Sequence, residues 1–220
     1  MEVSRFVQDA GIVAWPLLAF SVVAIALVIE RGFFWFRIWQ RQSQVVREAL
    51  KLYKSYPQQA MDLLQLNADL PIARIFLEAL ELEDPNPEEF RIAIESAAQA
   101  EIPVLRRFNT VFDTIIAVSP LLGLLGTVLG LITAFSSLRI GDIGGSSSTG
   151  VTGGISEALA STVIGLVVAI FTVLFANTFR GFYKRQIALI QEYGGQLELL
   201  YRRKYEYDKL RDNQALIRNA

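Results

Sequence analysis

The sequence predicts an all-α membrane protein with three transmembrane helices that continue into long helical extensions on the cytoplasmic side. Apolar stretches near residues 11–29, 114–135 and 155–179 are each close to the roughly 20 residues that a helix needs to cross a bilayer. Hydrophobic residues make up 52% of the chain, which is more than is usual for a soluble domain. Charged residues are concentrated between and after the apolar stretches, a pattern typical of a membrane protein.

The composition excludes several classes of function. The chain has no histidine and no cysteine, so disulfide frameworks, thiolate or histidine-ligated metal sites and serine–histidine catalytic centres are ruled out. A formal net charge of −1 gives no basic signature for nucleic acid. We therefore expect no enzyme activity, no cofactor, no metal and no nucleic-acid partner.

The ten residues before the first apolar stretch place four apolar side chains at the spacing of one helical face, namely Val3, Phe6, Val7 and Ala10. Residues 1–10 are expected to form a short amphipathic helix on the membrane surface, or else a frayed terminus. The leader is not positively charged and no clear cleavage site follows it. We therefore expect a retained membrane anchor and not a signal peptide.

The distribution of lysine and arginine predicts the orientation. Only Arg5 precedes the first span and only Arg139 lies between the second and third, whereas ten Lys or Arg lie in residues 31–108 and nine from Arg180 onward. The positive-inside rule places these two richer segments in the cytoplasm. The predicted segments are a first span at 11–36, a cytoplasmic helical region at 37–112, a second span at 113–136, an external loop at 137–154, a third span at 155–180 and a cytoplasmic tail at 181–220.

Proline divides the cytoplasmic region, because it is tolerated in the first turn of a helix but not in its interior. The residues that can begin helices are Pro57, Pro71 and Pro87. We expect a long extension of the first span, short helices near 57–66 and 71–83, and a helix from about residue 87 into the second span, kinked at Pro103. The tail continues the third span, with Gly194-Gly195 as its weak point. The Gly- and Ser-rich loop is expected to be a simple connector, or a surface for a partner.

The second span carries small residues that favour close helix packing. Gly126 and Gly130 form a GxxxG pair, and Gly123 adds a third small position. Such residues let membrane helices approach closely, because lipid provides no hydrophobic drive between them. Pro120 removes one backbone donor within the span, so a neighbouring helix or a local kink must compensate.

The third span carries a stripe of polar and small residues at intervals of four, namely Glu157, Ser161, Gly165 and Ala169. The stripe either serves helix packing alone or both packs and lines a pore. Thr127 and Thr162 lie at similar depth below the outer surface, roughly 12 and 10 Å at 1.5 Å per residue. In an oligomer they could form a polar ring that holds water or an ion but accepts no proton.

Acidic residues near the membrane lie at the predicted ends of the spans. Asp113 is a candidate for the cytoplasmic mouth of a pathway, and Glu30 can pair with Arg31. Glu157 has apolar neighbours in sequence and is the candidate for a functional intramembrane acid, with a structural hydrogen-bonding role as the alternative. The spans contain no mid-membrane carboxylate. If proton flow is coupled to work, another subunit should therefore supply the proton acceptor.

Two motifs together resemble the MotA/TolQ/ExbB proton-channel family. They are Pro120-Leu-Leu-Gly-Leu-Leu-Gly-Thr127-Val and Gly154-Ile-Ser-Glu157-Ala-Leu, the latter followed by Thr162 and Gly165-Leu-Val-Val-Ala. The resemblance covers both spans, the topology and the cytoplasmic insertion, and Glu157 favours the ExbB or TolQ branch over MotA. One departure is Phe171, where family members often have proline, so the third helix is expected to be straighter.

The resemblance implies a homopentamer around a central pore in the bacterial inner membrane, with the amino terminus in the periplasm. The pore would enclose the transmembrane helices of two ExbD- or TolR-like single-span subunits, and those helices would carry the Asp that accepts protons. Carried over by position, Thr127 and Thr162 would line the pore, and Glu157 would tune its outer part. The stripe on the third span adds Ser161 as a further candidate for the ion pathway. Work would reach a TonB-like transducer of outer-membrane transport, or TolA in the TolQ branch. A non-conducting membrane scaffold, which needs packing alone, is the competing hypothesis.

Overall fold

The computed structural model describes residues 11–136 and 146–219, and every regular element within them is helical. The predicted surface helix at 1–10 and residues 137–145 of the predicted loop lie outside the described residues. In chain order the elements are a 3₁₀ turn (Gly11–Val13), α1 (Ala14–Tyr53), α2 (Pro57–Gln65), α3 (Pro71–Leu80), α4 (Pro87–Leu105), α5 (Asn109–Ser136) and α6 (Ser146–Asn219).

Three helical stretches are long and apolar enough to cross a membrane, namely Gly11–Tyr53, Pro87–Ser136 and Gly150–Arg211. In their most apolar windows only 22%, 28% and 39% of the residues are buried inside the protein. Most of the apolar surface therefore faces outward, where lipid or another subunit would cover it. The prediction of three apolar helices is confirmed, and the first of them continues without a break as far as Tyr53.

The third long helix begins earlier than predicted. We expected a loop as far as residue 154, but α6 starts at Ser146. Close packing explains the difference. A Cβ built on Gly154 would lie 2.7 Å from the carbonyl oxygen of Gly130 in α5, so this turn already belongs to the packed pair of helices. A stretch rich in glycine looks like a loop in sequence, yet here a glycine serves helix contact.

The connection into the second span is also different from the prediction. Instead of one kinked helix, α4 ends at Leu105 and α5 begins at Asn109. Pro103 lies inside α4, and the break follows it, at Phe108, whose φ of +68° is in the left-handed region. A non-glycine residue there is uncommon and ends a helix. The ring of Phe108 is held by the guanidinium of Arg31, 5.4 Å from its centroid.

The chain divides into two compact units. The span unit comprises Met1–Gly32 and Phe108–Arg180, and the extension unit comprises Phe33–Arg107 and Gly181–Ala220. In the extension unit, α3 packs between α2 and α4. Its core holds large, fully buried side chains, including Leu64, Leu70, Ile75, Phe76 and Phe90. Each of the three short helices begins with proline, as the sequence predicted, because its missing N–H would be unpaired in the first turn anyway.

The tail of α6 is continuous through its paired glycines. Gly194 is buried, and a Cβ on it would lie 3.2 Å from the side chain of Ile94, whereas Gly195 has open space. The predicted weak point is thus partly a packing position. Helix propensity alone could not show that α4 approaches the tail at this residue.

Candidate functional site

The candidate site is the contact between α5 and α6 in the span unit, which glycine residues make close. A Cβ built on Gly130 would lie 2.7 Å from the backbone nitrogen of Ala158, and one on Gly123 would lie 3.0 Å from the carbonyl oxygen of Ser161. Any side chain at either position would meet backbone atoms that cannot move aside. The small residues singled out in the second span therefore pack directly on the third.

The stripe on α6 forms the other half of this contact. A Cβ on Gly165 would lie 2.5 Å from the carbonyl oxygen of Ser119 and 3.1 Å from the Cα of Gly123. Ala169 is buried as well. The Gly165 position of the stripe therefore packs on α5, which both interpretations of the stripe require.

Ser161 lies inside this contact and not on its surface. It is fully buried, and its hydroxyl donates to the carbonyl oxygens of Ala158 (2.9 Å) and Gly123 (3.3 Å). The space for it is provided by Gly126, where a Cβ would lie 2.3 Å from the Ser161 hydroxyl oxygen. The placement differs from the expectation that Ser161 lines a pathway, because a residue enclosed between two helices of one chain presents no surface to a pore.

Thr127 and Thr162 meet at the same level of the two helices. Their hydroxyl groups are hydrogen-bonded to each other, and Thr162 Oγ1 also donates to the carbonyl oxygen of Gly123 at 3.0 Å. Thr127 Oγ1 lies 3.3 Å from the carbonyl oxygens of Gly123 and Ala158. Both side chains are only half-buried. The pair is therefore a small polar cluster that has partners within the chain and still presents part of its surface outward.

Glu157 lies against the start of the first helix. A Cβ built on Gly11 would lie 1.7 Å from Glu157 Oε1, so the carboxylate fills the space that a side chain at residue 11 would take. Gly11 has a φ of +65°, which favours glycine in its own right. Glu157 is half-buried and not fully enclosed. A carboxylate at the beginning of a helix is favoured by the unpaired N–H groups and the helix dipole there.

Asp113, the predicted cytoplasmic mouth, forms an ion pair with Arg180 near the far ends of α5 and α6. Arg180 also donates to the side-chain oxygen of Asn177 at 3.0 Å. Both members of the ion pair are exposed, with 54% of the Asp113 side chain and 39% of the Arg180 side chain accessible to solvent. Sequence analysis named Asp113 but not its partner, although Arg180 is the first charged residue after the third apolar stretch.

Glu30 pairs with its neighbour Arg31, as the sequence suggested, through hydrogen bonds of 2.7 and 3.1 Å. The arginine is only 3% exposed. A buried guanidinium needs such a partner, because removing a charge from water is costly.

Ser119 is a member of the site that sequence analysis missed. It is fully buried on α5, and its hydroxyl oxygen has no hydrogen-bond partner within the described part of the chain. Its position follows from Gly165, which packs on the Ser119 backbone. No sequence signal distinguished it from other small residues of the span. Pro120, its neighbour, lies within α5 without ending it.

Within residues 11–136 and 146–219, no three acidic side chains come together as a group that could hold a metal ion. The polar groups that the helices do bring together are hydroxyls and backbone carbonyls at the Thr127–Thr162 cluster. These groups can bind water or a passing cation, but they do not exchange protons near neutral pH.

Comparison with known proteins finds a protein family whose match covers these two helices. The model of the MotA/TolQ/ExbB proton channel family matches residues 67–192, a range that includes α5 and the part of α6 that packs on it. A Synechocystis protein named ExbB-like 3 is 63% identical over 89% of this chain and 93% of its own length. A second Synechocystis protein, ExbB-like 1, is 41% identical over 87% of this chain and 76% of its own length.

A member of the other branch is also similar. The Tol-Pal system protein TolQ of Haemophilus influenzae is 29% identical over 83% of this chain and 82% of its own length. The family match extends over more than half of the chain, and the identity to ExbB-like 3 extends over nearly all of it. This chain is therefore a multi-pass membrane protein that belongs to the MotA/TolQ/ExbB proton channel family.

Proposed function

We propose that the chain is the channel-forming subunit of a proton-driven motor in the bacterial inner membrane. Five copies would surround the membrane helix of an ExbD-like partner, and proton flow would energise a TonB-like transducer of outer-membrane transport. The amino terminus would face the periplasm, with the carboxyl terminus and the extension unit in the cytoplasm.

The observation that carries this proposal is the Thr127–Thr162 cluster. Two threonine hydroxyls meet across a helix pair whose other close contacts come from small residues, namely glycine, alanine and the fully buried Ser119 and Ser161. Apolar side chains would serve helix packing alone better, because placing a polar group in a membrane costs free energy. The two hydroxyls therefore indicate a role beyond packing. Their half-exposed placement allows water or a hydrated proton on the outward side while the hydroxyls keep partners inside the chain.

The partner follows from the chemistry that this cluster lacks. Threonine does not titrate near neutral pH, so a proton that reaches the cluster needs an acceptor elsewhere. Glu157 packs against Gly11 and precedes Thr162 by about 8 Å of helix, whereas Asp113 pairs with Arg180 and precedes Thr127 by about 21 Å of helix. An Asp on the membrane helix of a second protein, placed at the depth of the cluster, would supply that acceptor.

The ExbB branch is favoured over TolQ by similarity. The two ExbB-like proteins of Synechocystis are 63% and 41% identical to this chain, whereas the TolQ protein is 29% identical. A scaffold without conduction remains the competing function, because the glycine contacts would serve it equally well.

Replacing both threonines by valine tests the proposal, since the change keeps the volume and removes the two hydroxyls. We expect Thr127→Val, Thr162→Val to assemble normally and to lose most proton-dependent work, measured as proton-motive-force-dependent uptake through an outer-membrane receptor. The matched control is Thr114→Val, Thr178→Val, which removes one hydroxyl from each helix. These two hydroxyls are exposed, and within residues 11–136 and 146–219 each bonds to one backbone carbonyl, a turn earlier in its own helix, at 2.8 and 2.9 Å.

The control variant should keep full activity. If the Thr127/Thr162 variant is as active as the control, the ion pathway does not use this cluster and the scaffold becomes the better account. Native mass determination of the complex gives a separate test of composition. A pentamer with one or two copies of a small single-span protein supports the motor, and a homo-oligomer without such a partner contradicts it.

A further inference from the structure

The extension unit contains an open cleft of about 360 Å³ between the last turns of α1 and the tail of α6. The two helices run in the same direction there. Gln42 bonds to Gln186, and further along both helices the ammonium of Lys204 lies 5.6 Å from the ring centroid of Tyr53. The cleft therefore runs along the pair of helices.

Four cationic side chains line this cleft. Arg47 and Lys51 lie on one face of α1, Lys54 follows the last residue of α1, and Arg203 lines the cleft from α6. No carboxylate is among the lining residues. The positions from Arg47 to Lys54 extend over roughly 10 Å at 1.5 Å per residue. Like charges this close repel each other, so the cleft has a strong preference for an anion.

The four cations of the cleft have no acidic partner among the described residues, unlike several other arginines of the extension unit. Within the described ranges, none of the four forms an ion pair. In contrast, Arg41, Arg74, Arg91 and Arg202 are each within ion-pair distance of an Asp or Glu side chain. The guanidinium of Arg47 donates only to the backbone carbonyl of Ser43, at 3.0 Å. Their positive charge is thus available to a bound ligand.

The remaining lining residues indicate more than a simple ion site. Leu50, Leu199 and Leu200 give the cleft an apolar side, and Leu199 is 59% exposed. Gln196 adds a neutral group that can donate or accept hydrogen bonds. Cavities of this size hold small organic ligands, with a few polar groups to orient an otherwise apolar contact.

The distance from the membrane favours a soluble ligand over a lipid headgroup. Five aromatic residues follow the first apolar stretch and are of the kind that lies at a membrane surface, namely Phe33, Phe34, Trp35, Phe36 and Trp39. Leu50 lies eleven residues beyond Trp39 along α1. That separation is about 16 Å of helix. The headgroup layer extends only about 5–8 Å beyond the hydrocarbon on each side.

We propose that this cleft binds a soluble organic anion with two or more phosphate groups, such as a nucleoside diphosphate or triphosphate. The lysines and arginines contact the phosphates, and the leucines contact the organic part. This site is separate from the ion pathway, and its occupancy can be measured whether or not the complex conducts protons.

Isothermal titration calorimetry on the purified complex, in detergent and at low salt, tests the proposal with ADP and inorganic tripolyphosphate as probes. We expect saturable binding of both. Lys51→Gln, Lys54→Gln should weaken it roughly tenfold, at about a threefold loss for each exposed ion pair. The matched control is Lys184→Gln, Arg185→Gln, which removes the same charge from α6 outside the cleft and should bind as the unmodified complex does.

Absence of binding to the unmodified complex would overturn the proposal, as would equal loss in the two double variants. Vesicles of phosphatidylglycerol and of phosphatidylcholine distinguish a lipid source. If Lys51→Gln, Lys54→Gln weakens binding to phosphatidylglycerol vesicles but leaves the binding of ADP and tripolyphosphate unchanged, the ligand is a lipid headgroup and the proposal of a soluble anion is wrong.

A neighbouring chain in the cleft is detected separately. Because the chain has no cysteine, Leu199→Cys provides a single labelling site. We expect a thiol reagent to label it freely and ADP to slow the labelling. Protection of this cysteine in the complex without ADP would show that another chain fills the cleft, and would contradict the proposal.

Discussion

Alanine at Gly154 should separate α5 from α6, whereas alanine at the adjacent Gly153 should not. A Cβ on Gly154 would lie 2.6 Å from the backbone nitrogen of Ala134, about 0.8 Å short of the 3.4 Å at which ordinary contact begins. The atoms it meets belong largely to the backbone, so a whole helix must shift. A Cβ on Gly153 meets nothing within 4 Å.

The magnitude follows from two opposing effects. Both substitutions gain roughly 0.5–1 kcal/mol in helix propensity, because glycine loses more backbone entropy than alanine on folding. Only Gly154→Ala pays for overpacking, typically about 1–3 kcal/mol. The two variants should therefore differ by about 1–3 kcal/mol in the free energy of unfolding, with Gly153→Ala as stable as the unmodified chain or slightly more so.

Reversible unfolding in mixed detergent and SDS, followed by circular dichroism, measures this difference. A cysteine pair introduced across α5 and α6 reports separation directly through its rate of cross-linking. Equal stability of the two variants would refute the claim that backbone contact at Gly154 holds this end of the helix pair.

Three further changes probe other contacts of the structure. Gly11→Ala should displace the Glu157 carboxylate, which lies where the new Cβ would be. Together with the left-handed φ of residue 11, this should lower the free energy of unfolding by about 1–3 kcal/mol. Gly32→Ala is the control, because its Cβ meets open space, and thermal unfolding compares the two variants. Asp113→Arg should lower the free energy of unfolding by no more than about 1 kcal/mol, because the ion pair with Arg180 is exposed. The exchange Asp113→Arg, Arg180→Asp should restore the lost stability in a double-mutant cycle. No recovery in the exchanged variant would contradict a direct ion pair. Burial raises the pKa of Tyr53 to about 12, with Tyr201 and Asp208 adding to the effect, so the folded state disfavours the tyrosinate. The stability that the neutral phenol confers is complete below pH 10 and is lost as the pH rises from about 10 to 12, by up to roughly 2 kcal/mol. Alkaline unfolding of Tyr53→Phe should lack this component, and an unchanged profile would show that another group titrates.

The three apolar helices could be predicted because their signal is local. A bilayer demands about 20 apolar residues whatever their neighbours are, so composition alone locates the spans. Prolines at the starts of α2, α3 and α4 are equally local, since the restriction acts within one turn. The glycines of the second span were predicted to pack, and they do so against α6 of the same chain.

What the sequence could not provide are the contacts between distant segments. Nothing near Gly11 indicates that it faces Glu157, and nothing near Asp113 indicates Arg180, because each pair joins residues far apart in the chain. The burial of Ser161 depends on the absence of a side chain at Gly126 on another helix. The stripe on α6 was compatible with packing alone and with packing that also lines a pore. Which of its residues are buried depends on how the helix is rotated about its own axis, and the sequence does not specify that rotation. The early start of α6 was missed for a related reason, since Gly154 reads as a loop residue until its neighbour on α5 is known.

The reciprocal amide pair in the extension unit restricts how its two long helices can slide. Gln42 and Gln186 are each only 2% exposed, and each donates one hydrogen bond to the other, at 2.9 and 2.8 Å. Moving one helix by a single turn, about 5.4 Å, would bury both amides without partners, at roughly 1–3 kcal/mol for each. The apolar residues of these two helices, such as Ile38, Val46 and Ile190, would tolerate such a shift better, because one apolar contact can replace another. The pair thus fixes the register of α1 against α6, so that force applied along either helix in this unit is passed to the other instead of being lost in slippage.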